Sequence, residues 1–168
     1  MTVVVMMGVS GSGKTTIATG LAAALGWRLL EGDRFHPAAN VEKMRAGTPL
    51  TDDDRWPWLR AIAAEIDAIR AQGGSAVVAC SALKRAYRNV LIGDRADVRL
   101  AYLRGSHDLI AQRLDARVGH FMPSGLLDSQ FATLEEPGPE ERPITVPVDH
   151  PPEAVIAALV AALKEDTP

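Results

Sequence analysis

The chain has 168 residues, 47% of them apolar and 23% charged, and its 18 basic and 21 acidic side chains leave a net charge of −3. That length supports one hydrophobic core and a single domain over 1–168, and the well-mixed charge excludes a basic nucleic-acid surface. The lone cysteine, Cys80, excludes an internal disulfide framework, no apolar run is long enough to span a membrane, and the N-terminus lacks a signal peptide's positive region, so a cytoplasmic protein without membrane contacts is expected.

The first element is a strand of apolar and β-branched residues, Thr2 to Met7, running directly into Gly8. Gly8-Val9-Ser10-Gly11-Ser12-Gly13-Lys14-Thr15 then matches the phosphate-loop pattern G-x-x-x-x-G-K-[ST] in full. Glycines at 8, 11 and 13 let successive backbone N–H groups face one concavity, a nest for an anion. Lys14 can reach the β- and γ-phosphates of a nucleotide, and the Thr15 hydroxyl can ligate Mg²⁺. The helix that follows, with Ile17, Leu21 and Leu25 on one face and Gly26 at its end, adds the positive end of its dipole, and Thr16 lies in its first turn. A plain Gly/Ser turn would need neither the Lys-Thr pair nor a buried-type strand before it.

Trp27 to Leu30 forms a second strand ending in Glu31-Gly32-Asp33. Acids at this end of a strand are either solvated turn residues or ligands at the edge where open α/β sheets bind. After His36-Pro37, a short helix spans Asn40 to Ala46. The polar stretch Gly47 to Asp54 leads into a long helix with Leu59, Ile62, Ile66 and Ile69 inward. Asp52, Asp53 and Asp54 read as helix-entry acids, and Pro57 as a first-turn residue. Trp56 and Trp58 read as core in preference to pocket walls.

Ser75 to Cys80 is a third strand. Many P-loop ATPases end this strand in an Asp that holds Mg²⁺, but here Cys80-Ser81 offers no carboxylate. The metal must draw on Thr15, phosphates, water and the acids at 31 and 33. Lys84 and Arg88, with Arg85 between them, are placed one turn apart on a helix face, either solvated or facing an anion. Val98 to Leu103 is a fourth strand, and His107 to Val118 a helix carrying Arg113 and Arg117. Gly119 to Gly125 has the character of a lid loop, with the lid placed at about 118–125. A helix over Leu126 to Leu134, a Pro- and Glu-rich stretch, a fifth strand at Ile144 to Val148 and a last helix over Glu153 to Lys164 complete the chain. Alternating strands and helices with the glycine loop after the first strand imply an α/β P-loop NTPase fold: a five-stranded parallel sheet flanked by helices, with a small lid.

Taken together, MGVSGSGKTT (7–16), EGDRFHP (31–37), NVEKMRAGTPLTDDDRWPWL (40–59), CSALKRAYRNVL (80–91), RLDARVGHFMPSGLLDSQFATLEEP (113–137) and VDHPPEAV (148–155) resemble the gluconate kinases, small P-loop enzymes akin to shikimate and nucleoside-monophosphate kinases. The resemblance implies ATP- and Mg²⁺-dependent transfer of phosphate to the terminal hydroxyl of D-gluconate. It implies that Gly8 to Thr16 cradle ATP, that Arg117 is the lid arginine, and that Arg113 and Pro151 flank the adenine. Asp33 would hydrogen-bond the acceptor hydroxyl, and Glu31, where an Asp is expected in the family, would orient a metal-bound water. Lys14, Asp33 and Arg117 are then the catalytic set, and Thr15 and Glu31 the metal residues. Arg55, Arg88 and Lys84 would meet the substrate, with His36 and Gln130 as further hydroxyl contacts. Similar kinases are often dimers, which leaves a homodimer open. A shikimate-type kinase is the nearest alternative, but Cys80 to Lys84 replaces its glycine triplet. Adenylate kinase would need a longer lid rich in arginine. A nucleotide-dependent regulatory module would need an N-K-x-D motif or a Walker-B Asp, and the sequence has neither.

Overall fold

The computed structural model describes residues 1–116 and 124–166. Five strands form one sheet in the order β2-β3-β1-β4-β5: β1 (Val3–Met7), β2 (Arg28–Glu31), β3 (Ala76–Ala79), β4 (Val98–Arg104) and β5 (Ile144–Pro147). Every pairing is parallel. The helices are α1 (Lys14–Leu25), α2 (Ala38–Arg45), α3 (Asp52–Ala71), α4 (Arg85–Leu91), α5 (His107–Asp115), α6 (Ser124–Thr133) and α7 (Pro152–Glu165).

The central strand explains why its sequence is uniformly apolar. Successive side chains point to opposite faces of a sheet covered by helices on both sides. Val4 and Met6 join a core with α1, α5 and α7, whereas Val3, Val5 and Met7 join a second core with α3 and α4. All five are fully buried, each stabilising the fold by about 1.5–3 kcal/mol.

Three expectations change. The long helix starts at Asp52 with Thr51 as its cap: Thr51 Oγ1 accepts from Asp54 N at 3.2 Å, and Asp54 Oδ2 accepts from Thr51 N at 2.9 Å. This capping box puts Pro57 inside the helix, past its first turn. Helix α2 begins at Ala38, and its one buried residue is polar, Asn40. Lys84 is the N-cap of α4, with extended backbone angles, so it does not share a helix face with Arg88.

Candidate active site

The phosphate loop connects β1 to α1 at the carboxyl edge of the sheet. Gly11 and Gly13 have φ of +83° and +92°, values that an L side chain rarely adopts, so the expected turn is built where the sequence put it. Ser12 is buried beneath Gly8, where an added Cβ would stand 2.6 Å from its Oγ. Helix α1 has neither a side-chain cap nor an acid in its first turn. Its leading amides therefore remain for an anionic ligand.

Lys14 Nζ donates to the carbonyls of Gly8 at 2.8 Å and Val9 at 3.2 Å, which lays the side chain back along the loop. Burial pushes this ammonium's pKa down, while Glu31 and Asp33 act the other way. The loop cation and the two acids after β2 thus share one electrostatic neighbourhood. Burial pushes the Cys80 thiol up to about 12, so the end of β3 carries no anion at neutral pH. Glu31 closes β2 in register with Ala79, and Asp33 is exposed in the 3-10 turn Gly32–Phe35. Gly32 is required sterically, since a Cβ there would come within 2.6 Å of the Ala79 carbonyl. Trp58 Nε1 donates to the Gly32 carbonyl at 2.7 Å and its ring stacks on His36 at 4.2 Å, so this tryptophan is core and also supports the turn.

Arg55 and Lys84 both lie against Tyr87. Each cation lies 5.7 Å from the ring centroid, and Arg55 Nη1 donates to Tyr87 Oη at 3.2 Å. Asp52 holds the group together: it accepts from the Tyr87 hydroxyl and from Lys84 Nζ at 3.2 Å, and lies 3.8 Å from Arg55. The Tyr87 and Lys84 hydrogen bonds lower the Asp52 carboxyl's pKa, and the same Asp52 contact raises that of Lys84. Asp52 is therefore more than a helix-entry acid. Tyr87 was missed altogether, although it stands one helical turn beyond Lys84 in the sequence.

Two expected substrate residues are engaged elsewhere. Arg88 is 1% exposed; its Nε and Nη2 donate to Glu141 at 2.7 and 3.1 Å, and its Nη1 to the Ala82 carbonyl at 2.9 Å. A guanidinium leaves water only when its donors are satisfied, and these satisfy it internally. Arg88 supports the turn after β3 and does not open into the site. Gln130 clamps the phosphate loop, accepting from Ser10 N at 2.6 Å and donating to Ser10 Oγ at 2.8 Å. Arg113 donates to the Val148 carbonyl, close in sequence to Pro151, the exposed N-cap of α7. Arg117 and the expected lid residues 118–123 lie outside the described residues, and residues 124 and 125 open α6.

Thr15 is exposed in the first turn of α1 and Glu31 half-buried at the end of β2. Their donors are oxygens, the type a hard divalent cation takes. Among the described residues no three His, Cys, Asp or Glu side chains form a metal cage. Mg²⁺ on this pair would complete its shell with phosphate oxygens and water, its usual manner of binding. No helix among the described residues is long and apolar enough to cross a membrane.

The sequence matches a family model described as an AAA domain over residues 3–137. It is 52% identical to the gluconokinase of Gluconobacter oxydans (strain 621H), over 93% of this chain and 88% of that protein. It is 43% identical to the thermoresistant gluconokinase of Escherichia coli (strain K12), over 96% of this chain and 93% of that one. The crystal structure of a gluconokinase from Sinorhizobium meliloti 1021 superposes with a TM-score of 0.89 at 44% identity, covering 98% of this chain and 92% of that chain.

Proposed function

The chain belongs to the gluconokinase family of P-loop kinases, and on that premise we propose that it transfers the γ-phosphoryl group of ATP to the terminal hydroxyl of D-gluconate, giving ADP and 6-phospho-D-gluconate. The observation that carries this reading is one juxtaposition. A phosphate loop with its lysine follows β1 and an acid pair follows β2 at the same carboxyl edge of the parallel sheet, with only β3 between them, and both acids support the lysine's charge. Phosphoryl transfer needs chiefly alignment and charge neutralisation, and these residue types supply both.

In the proposed reaction the loop amides from Gly8 to Thr16 and Lys14 hold the phosphates. Asp33 accepts a hydrogen bond from the terminal hydroxyl and directs its oxygen toward the γ-phosphorus. The new P–O bond forms as the bond to the β,γ-bridging oxygen breaks, and the hydroxyl proton leaves by way of Asp33. Arg55 and Lys84, already gathered on Tyr87, take the substrate carboxylate in place of Asp52. Arg113 and Pro151 are assigned to the adenine and Arg117 to the transferring phosphate. Thr15 and Glu31 would hold Mg²⁺, which neutralises charge on the phosphate oxygens when bound. The setting is a single-domain cytoplasmic enzyme, in keeping with a lone cysteine that is buried and reduced.

Purified protein with Mg²⁺ and ATP should release ADP in response to D-gluconate and scarcely to shikimate, AMP or glucose. ADP release indifferent to gluconate, or answering to shikimate alone, would sink the assignment. Within the site, Arg55→Ala should raise the gluconate KM at least several-fold with a smaller change in kcat, because it removes a contact made equally before and during transfer. An unchanged KM would mean that the carboxylate binds elsewhere.

A further inference from the structure

Asn40 is one of only three polar or charged side chains buried in the described structure, and its hydrogen bonds go to His36 and Asp54 and not to the phosphate loop. Its Nδ2 donates to the Asp54 carbonyl at 2.9 Å, and the same atom lies 3.2 Å from His36 Nδ1. The carbonyl can only accept, so the Asn40 atom facing it must be the amide nitrogen. That nitrogen carries a second hydrogen, which points the other way, at His36. His36 Nδ1 must then offer its lone pair, and a neutral ring must carry its proton on Nε2. The ring's orientation is set as firmly as its proton: one face is stacked on Trp58 with planes 15° apart, and Trp58 is itself tied to Gly32. Burial keeps the imidazole's pKa low; of the charged groups acting on the ring, Asp33 opposes this and Arg55 on α3 reinforces it. Among the described residues Nε2 has no protein partner, and the ring is half-exposed.

We propose that Asn40 locks His36 in the tautomer protonated on Nε2, and that this N–H donates to a hydroxyl oxygen of bound D-gluconate; the second half rests on the gluconokinase reading. A polyol hydroxyl can donate or accept, so a site that orients one must fix the polarity of its own groups. Asp33 offers only acceptors and His36 Nε2 only a donor, a complementary pair for two hydroxyls of one chain. Asn40 acts through His36 and is a positioning residue.

The first measurement is two-bond ¹H–¹⁵N correlation on the wild-type protein labelled at its histidines, with the His36 signals identified by their loss in His36→Gln. At neutral pH the Nδ1 resonance should have the shift of an unprotonated nitrogen and Nε2 that of a protonated one. The second is steady-state kinetics. His36→Leu should raise the gluconate KM roughly three- to tenfold, the range for one neutral hydrogen bond, with the KM for ATP unchanged. His36→Gln, whose amide nitrogen can occupy the place of Nε2, should recover most of that loss. In Asn40→Asp the new carboxylate should draw the ring proton to Nδ1, and the gluconate KM should then rise as pH passes above the raised ring pKa. Wild-type protein that ignores gluconate would overturn the substrate reading. With gluconate turnover intact, a wild-type ring protonated on Nδ1, or a gluconate KM unmoved in His36→Leu, overturns this proposal.

Discussion

Lys14→Ala should lower kcat at least about a hundredfold, the scale for removing one preorganised charge-stabilising donor. The gluconate KM should stay within a few-fold of wild type. The reasons lie in how the ammonium is held. It is held against the loop by the Gly8 and Val9 carbonyls. Burial works against its charge, while Glu31 and Asp33 support it. The ammonium's hydrogen bonds go to two carbonyls of its own loop and tie no distant segments together, so Lys14→Ala should unfold within about 1 kcal/mol of wild type, the net worth of an ordinary hydrogen bond. Single-turnover phosphoryl transfer and urea denaturation measure the two quantities. Loss of turnover in proportion to loss of stability would show Lys14 to be structural. Arg at this position should not restore the rate, because a planar fork cannot replace a compact point charge.

Arg88→Ala should have the opposite signature. Its loss leaves the Glu141 carboxylate, whose side chain is only 11% exposed, without its cation, and the Ala82 carbonyl without its donor. Removing one member of a buried pair costs about 3–5 kcal/mol, which corresponds to a drop in Tm of roughly 6–20 °C for a domain of this size. Ala82 adds to the cost, since its φ of +45° is left-handed backbone on a non-glycine residue, and Arg88 is the side chain bonded to its carbonyl. That turn leads directly to Lys84, so whatever protein remains folded should also bind gluconate more weakly. Arg88→Met, which fills the space without charge, should still be destabilising while Glu141 is left in place. Pairing it with Glu141→Gln should recover much of the loss. A variant with wild-type Tm would show that the pair carries no stability.

The contrast between these two residues shows where reading a sequence succeeds and where it stops. Lys14 was legible because the chemistry of a phosphate loop is local: eight consecutive residues contain the turn, the cation and the start of the helix. The sheet was legible for a similar reason, since unbroken apolar strands alternating with helical periodicity leave few other architectures. Arg88 was misjudged because its partner, Glu141, lies in a 3-10 turn far along the chain, and nothing near either residue signals the pairing. The hold of Gln130 on Ser10 was hidden in the same way, the two residues lying 120 positions apart along the chain. Asn40 was passed over because a buried Asn at the start of a short helix looks like an ordinary surface residue until Asp54 folds against it. Lys84 was assigned to a helix that begins one residue later, and this moved it from a shared face with Arg88 to the group around Tyr87.

The strand order has a consequence in time. Residues 3–7 leave the ribosome well before the segments they pair with, 76–79 on one side and 98–102 on the other. The loop they carry is then bonded through Gly8 N to the Ser81 carbonyl and through Ser10 to Gln130. Each of these closures waits for a long stretch of chain to be synthesised, and each non-local pairing bears its loop entropy before it returns any stability. The nucleotide cradle is therefore synthesised well before the segments that hold it in shape. A nascent chain halted before β4 carries the whole phosphate-loop sequence but has a central strand unpaired on one edge.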